Sequence, residues 1–238
     1  MRQIDVIKIY NQKKCLIIDD FPEVRGSVKR ILKNFGVNSI DTAANGDEAV
    51  ALCKSHRYDI VLCDYNLGAG KDGQQVLEEL RYLRALLNTS LFVLITAESS
   101  RQMVLGALEC EPDDYITKPI TQTSLRVRLD KALLKHEALY DIKKAIDKRD
   151  YQSAITQCDR VMKAQKKYVT DCLKLKAQLY LKIEQYPQAK KIYEDVLAIK
   201  PVHWARLGLG KTLLAMNDLE RAEALLKAVL KDDNRYVE

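Results

Sequence analysis

The stretch Cys15-Leu-Ile-Ile-Asp-Asp20 decides the fold. Four apolar residues end in two acids, and Pro22 follows at a position that favours the first turn of a helix running to about Asn34. Gly36 closes that helix. Outward from here the same order recurs. Ser39 to Ala43 reads as a weaker strand, and Asn45-Gly46 opens a helix through about Ser55 with Ala49, Leu52 and Cys53 on one face. Tyr58 to Cys63 is a strand ending in Asp64, followed by the glycine-rich loop NLGAGKDG and a helix from Gln74 to about Leu87. Leu91 to Ile95 is a third clearly apolar strand, capped by Thr96; a helix near Gln102 to Glu109 and a short strand from Tyr115 to Thr117 precede Lys118-Pro119. Strands alternating with helices predict an α/β doubly wound fold, a five-stranded parallel sheet covered on both faces.

Beyond residue 123 the period changes. From Ser124 to Arg149 there is neither proline nor glycine, and Leu125, Leu129, Ala132, Leu133, His136, Leu139 and Tyr140 recur at helical spacing, which predicts one continuous helix over 124–149. The chain then repeats itself. DYQSAITQCDRV, QYPQAKKIYEDV and DLERAEALLKAV bring Tyr151, Tyr186 and Leu219 into register, and Ala154, Ala189 and Ala222 likewise, at offsets of 35 and 33 residues. That spacing straddles the 34-residue period of the tetratricopeptide repeat, a helix-turn-helix unit. The resemblance extends to Ala177 and Gly210 at the small position of the first helix, Tyr180 and Leu213 at the large one, and Pro201 closing a repeat; Ile142 at a small position departs from it.

Composition bounds the function classes. The 238 residues are 47% apolar and 30% charged, too mixed for a disordered chain or a membrane bundle. No apolar run approaches the roughly 18 residues of a spanning helix, and the first ten residues lack a signal-peptide pattern, so the expected location is cytoplasmic, with no membrane partner. The cysteines (15, 53, 63, 110, 158 and 172) never approach C-x-x-C spacing and read as reduced, buried small hydrophobes. His56, His136 and His203 show no ligand spacing. The net charge of +6 is uneven, because residues 1–123 hold 15 basic and 17 acidic side chains and residues 124–238 hold 24 and 16. An acidic partner is therefore expected at the second half. Gly210-Lys211-Thr212 mimics a phosphate loop, but it aligns with a repeat helix rather than following a strand.

The acids mark the candidate site. Ligands of open parallel sheets bind beyond the carboxyl ends of the strands, and in the order 2-1-3-4-5 the first and third strands are neighbours. Asp19, Asp20 and Asp64 then converge. Carboxylates crowded without a cation repel, and Mg²⁺ (or Mn²⁺) resolves the conflict while inviting a phosphate. The Thr96 hydroxyl can donate to a phosphoryl oxygen and the Lys118 ammonium can neutralise one. The set reads as a phosphoryl-transfer site with a carboxylate acceptor.

Over residues 12–130 the chain resembles the receiver domain of two-component response regulators. CLIIDD matches that family's acidic pair, VLCDYN its phosphoacceptor strand, LITAES its hydroxyl strand and YITKP its Lys-Pro after the fifth strand. The resemblance implies that Asp64 accepts a phosphoryl group from a sensor histidine kinase or phosphotransfer protein. It also implies that Asp20 ligates Mg²⁺ directly, Asp19 does so through water, and Asp64 and the Asn66 backbone carbonyl complete the protein's ligands. Tyr115 would be the aromatic switch that turns inward as Thr96 moves, and Lys118 and Pro119 would share a cis peptide. The loop after Asp64 departs from the family in lacking its usual proline and in being one residue longer. Asn66 and Glu98, two residues after Asp64 and Thr96, lie where the family tunes water access, and their polar side chains fit ready hydrolysis of the phosphoryl group.

The expected architecture is thus a receiver (12–130) followed by a repeat domain of about three helix pairs (131–238). No helix-turn-helix, cyclase-type or phosphodiesterase-type segment remains, so DNA is not the expected target. The protein is not expected to be an enzyme beyond its own phosphorylation and dephosphorylation. The expected output is protein contact, with a protein or peptide of acidic character in the repeat groove or with a second copy as a homodimer. Two alternatives stay open: phosphorylation-regulated RNA binding by the basic half, and a constitutive scaffold.

Overall fold

The computed structural model describes residues 6–97 and 111–234, and elements are numbered over those residues. The expected helix near 102–109, and Glu98, lie outside them. The first elements are α1 (Val6–Asn11), β1 (Lys14–Ile18), α2 (Pro22–Asn34), β2 (Ser39–Ala43), α3 (Gly46–Ser55), β3 (Ile60–Asp64), α4 (Gly73–Tyr82), β4 (Leu91–Thr96) and β5 (Asp114–Thr117). The helices that follow are α5 (Gln122–Ala138), α6 (Tyr140–Asp147), α7 (Tyr151–Ala164), α8 (Val169–Lys182), α9 (Tyr186–Ile199), α10 (His203–Ala215) and α11 (Leu219–Asn234). The chain divides into two compact units, residues 1–137 and 138–238.

In the first unit the strands pair in parallel in the order β2-β1-β3-β4-β5. Strands β3 and β4 are buried at every residue, as the apolar runs require when both faces are covered. Alternate residues serve opposite cores. Ile17, Ile60, Leu62, Val93 and Ile95 pack with Val28 and Leu32 of α2 and with Leu125, Leu129 and Leu133 of α5. Ile18, Val61, Cys63, Phe92 and Leu94 pack with Ala49 and Val50 of α3 and Val76, Leu77 and Leu80 of α4. The helix expected to run to Leu87 stops at Tyr82, because Arg84 adopts φ 54° and the Ala85 N–H turns back to the Leu80 carbonyl at 2.9 Å. Helix α1 was not expected. Its Tyr10 is fully buried, lies 5.6 Å from the Phe35 ring and donates its hydroxyl to Asp130 Oδ1 at 2.8 Å.

The second unit is wholly helical over its described residues, and α6/α7, α8/α9 and α10/α11 form three pairs. Each pair turns through a left-handed residue, Arg149, Glu184 and Asn217, at φ 60°, 61° and 61°. The next N–H closes each turn in the same way: Asp150 onto the Ala145 carbonyl, Gln185 onto Tyr180 and Asp218 onto Leu213. Ala154, Ala177, Ala189 and Ala222 are fully buried where the helices approach. A Cβ on Gly208 would fall 2.3 Å from the Tyr193 ring, so that glycine admits the tyrosine.

The single helix expected over 124–149 is corrected to two. Leu139 leaves helical geometry at φ −100° and ψ 4°, between α5 and α6. Leu133 faces the sheet, whereas Leu139 and Ile142 belong to the helical core, and the break falls where one apolar seam gives way to the other. No helix of the described residues is long and apolar enough to cross a membrane.

Candidate functional site

Register brings the site together. Ile18 pairs with Cys63, so Asp19 and Asp64 leave adjacent strand ends side by side. Thr96 pairs with Thr117, so Lys118 emerges next to them, with its N–H on the Thr96 carbonyl at 2.7 Å. Asp19 and Asp64 are 2% and 4% exposed, and Thr96 is buried as well. Ligand atoms of Asp19, Asp20 and Asp64 all lie within 4.8 Å of one another, the one such group among the described residues. The Lys118 ammonium is 2.8 Å from Asp64 Oδ2 and 3.4 Å from Asp19 Oδ2.

Electrostatics follow from this crowding. Burial pushes the Asp64 carboxyl above its ordinary range, with Asp19 adding to the rise and Lys118 opposing it. Burial works against the charge on Lys118, but hydrogen bonding and attraction to Asp64 and Asp19 outweigh it and hold the ammonium above its usual value. Of the three carboxylates, Asp64 and Asp19 contact the ammonium. Asp20 Oδ1 is buried without a hydrogen-bond partner among the described residues, a costly state for an oxygen unless a cation meets it. An oxygen-seeking divalent cation fits this donor set.

The surrounding backbone aims the acids. The Phe21 N–H donates to Asp19 Oδ1 at 2.9 Å and the Arg25 guanidinium to the Asp19 carbonyl at 2.6 Å, so the first turn of α2 grips the end of β1. After β3, the Tyr65 N–H reaches the Ile95 carbonyl and the Gly73 N–H reaches the Tyr65 carbonyl, both at 2.7 Å. Asn66 is exposed and its side chain accepts from the Gly68 N–H at 3.2 Å. Tyr115 is half-buried against the α3/α4 core, and burial first, then Glu111 and Tyr65, push its hydroxyl up to about 12. The Lys118-Pro119 bond is cis.

Asp19, Asp20, Asp64, Thr96 and Lys118 are thus gathered at one end of the sheet. Tyr115 lies on β5 opposite Leu94 of β4, outside the acidic group. Glu98 falls outside the described residues. Arg25, Gly68 and Gly73 were not singled out from the sequence, because their part in the site is a contact with a strand end or an acid, which no local pattern encodes.

Residues 15–130 match the family model described as the response regulator receiver domain. Over 118 residues the chain is 34% identical to the chemotaxis protein CheY-3 of Vibrio cholerae, covering 50% of this chain and 89% of that protein. It is 28% identical over 118 residues to the chemotaxis protein CheY of Pseudomonas aeruginosa, covering 50% of this chain and 94% of the relative. Among solved structures, a CheY-like receiver domain protein from Methanospirillum hungatei aligns at a TM-score of 0.47 and 26% identity, over 52% of this chain and 96% of the other.

Proposed function

The chain belongs to the response regulator receiver family, and from that premise we propose that Asp64 is the phosphoacceptor of a two-component signalling reaction. The observation that carries this reading is a buried Asp64 carboxylate, 2.8 Å from the Lys118 ammonium, in a pocket with two further acids. The donor is a phosphohistidine on a sensor histidine kinase or phosphotransfer protein. An Asp64 oxygen attacks phosphorus, the P–N bond breaks, and the imidazole leaves with its electron pair. The Lys118 ammonium neutralises one phosphoryl oxygen and the Thr96 hydroxyl donates to another. Asp19, Asp20, Asp64 and the Asn66 carbonyl would hold Mg²⁺ (or Mn²⁺), which supplies further neutralisation of phosphoryl charge when bound. Tyr115 is the switch residue in this reading, and Asn66 and Glu98 tune access of water to the phosphoryl group. The protein modifies itself and turns over no separate substrate.

The second unit is, in the same proposal, a tetratricopeptide-type array within a domain of residues 131–238, following a receiver of residues 12–130. The recurring left-handed turn residues Arg149, Glu184 and Asn217 support it. Phosphorylation at Asp64 then controls contact with a protein partner or self-association, with a cytoplasmic site of action. The test is incubation with Mg²⁺ and acetyl phosphate, read by intact mass and by size. The wild-type chain gains one phosphoryl group and Asp64→Asn gains none. Equal phosphorylation of both chains overturns the assignment, and an unchanged size and partner affinity after phosphorylation overturns the control of contact.

A further inference from the structure

The catalytic side chains stand at strand ends, but the loop after Asp64 has no strand to hold it. Gly68 and Gly70 adopt φ of 73° and 103°, and residues 66–72 contain no proline. Such backbone loses much freedom when ordered. The loop nevertheless borders the acids closely, because a Cβ at Gly68 would lie 3.3 Å from Asp20 Oδ2. Leu67 anchors one end in the core, and a capping box between Asp72 and Gln75 fixes the other at α4.

Between those anchors, Lys71 reaches two helices at once. Its ammonium bonds Asp47 in the first turn of α3 and lies 2.8 Å from Glu79 Oε2 of α4. The two carboxylates hold its charge above the ordinary lysine range. Gly46 leaves room for the arm, since a Cβ there would sit 3.0 Å from the Lys71 Cβ.

Resting on the phosphoacceptor reading, we infer that Lys71 is a positioning residue for the metal-dependent reaction: the Asp47–Lys71–Glu79 clamp holds the 66–72 loop against Asp20. Ion pairs this exposed add little to fold stability, so the clamp acts on the loop rather than on the fold.

The experiment compares wild type, Lys71→Met and Lys71→Arg by hydrogen exchange of the 65–73 segment, by calorimetric Mg²⁺ titration without phosphodonor, and by acetyl phosphate labelling at varied Mg²⁺. Lys71→Met should exchange faster in the loop and need about threefold more Mg²⁺ for half-maximal binding and labelling, an effect of the size expected from an outer, partly exposed contact. Its labelling rate at saturating Mg²⁺ should stay near wild type, and Lys71→Arg should restore both loop exchange and Mg²⁺ demand. Unchanged loop exchange and Mg²⁺ affinity in Lys71→Met overturn the clamp. A wild type that binds Mg²⁺ but takes no phosphoryl group overturns the phosphoacceptor reading instead, while exchange and calorimetry still decide the role of Lys71 at the metal site.

Discussion

Asp64 is ionised at a thermodynamic disadvantage. Burial raises its pKa in the folded chain, so the native state binds that proton more tightly than the unfolded state does. The resulting contribution to stability is fully present below the unfolded pKa and is lost as pH rises through the folded one. At pH 7 the ionised group is therefore a burden on the metal-free fold. Without divalent cation, Asp64→Asn should melt higher at pH 7, by about 2–4 °C for each ~1 kcal/mol relieved, and the gain should shrink as pH approaches the ordinary aspartate range. Scanning calorimetry at several pH values checks this, and a lower melting temperature for the variant at pH 7 would contradict it. The same groups were the most legible in the sequence. Each of Asp19, Asp20, Asp64, Thr96 and Lys118 follows a strand-forming run, and a parallel sheet brings the ends of such runs together. The orientation of Asn66 was not legible, because a side chain that accepts from the Gly68 N–H depends on a loop backbone that only the folded chain specifies.

Among the elements, α4 depends on its first residue. A Cβ on Gly73 would fall 2.4 Å from the Asp64 carbonyl oxygen and 2.8 Å from Leu94 Cδ2. Backbone on one side and a buried leucine on the other leave little room to yield. Gly73→Ala should destabilise the first unit by about 1–3 kcal/mol and slow acetyl phosphate labelling, because relief of the clash displaces Asp64 itself. Urea denaturation followed by circular dichroism, with labelling by intact mass, measures both; wild-type values in the variant would show that the contact is slack. Element boundaries were less legible than element types. The end of α4 hides in Arg84, a residue with no marked preference for positive φ. The interruption at Leu139 hides because its leucine keeps helical phase with Leu125, Leu129 and Leu133, so periodicity cannot distinguish one helix from two that serve different cores. Helix α1 is too short for periodicity to register, and its place is secured by Tyr10 through a partner 120 residues away, Asp130.

At the scale of the whole molecule, two compact units divide the labour of folding. Residues 1–137 carry 19 basic and 19 acidic side chains, so the first unit is neutral overall and the excess positive charge resides in residues 138–238. The helix pairs of this unit were legible because small residues recur in the sequence at the spacing of the turns that the structure forms at Arg149, Glu184 and Asn217. The chain's one tryptophan, Trp204, lies in this helical unit, edge-on to Tyr193 at 6.1 Å. Tyr193 in turn is admitted by Gly208. Gly208→Ala drives a methyl into that ring, and should lower the stability of the helical unit by about 1–3 kcal/mol. Trp204 emission then reports the loss directly in a denaturant titration. Because the sheet unit has its own core, labelling of Asp64 by acetyl phosphate should proceed at the wild-type rate under native conditions. A tryptophan transition that stays in place would mean that Tyr193 can move aside freely; a parallel loss of labelling would mean that the two units unfold together as one cooperative whole.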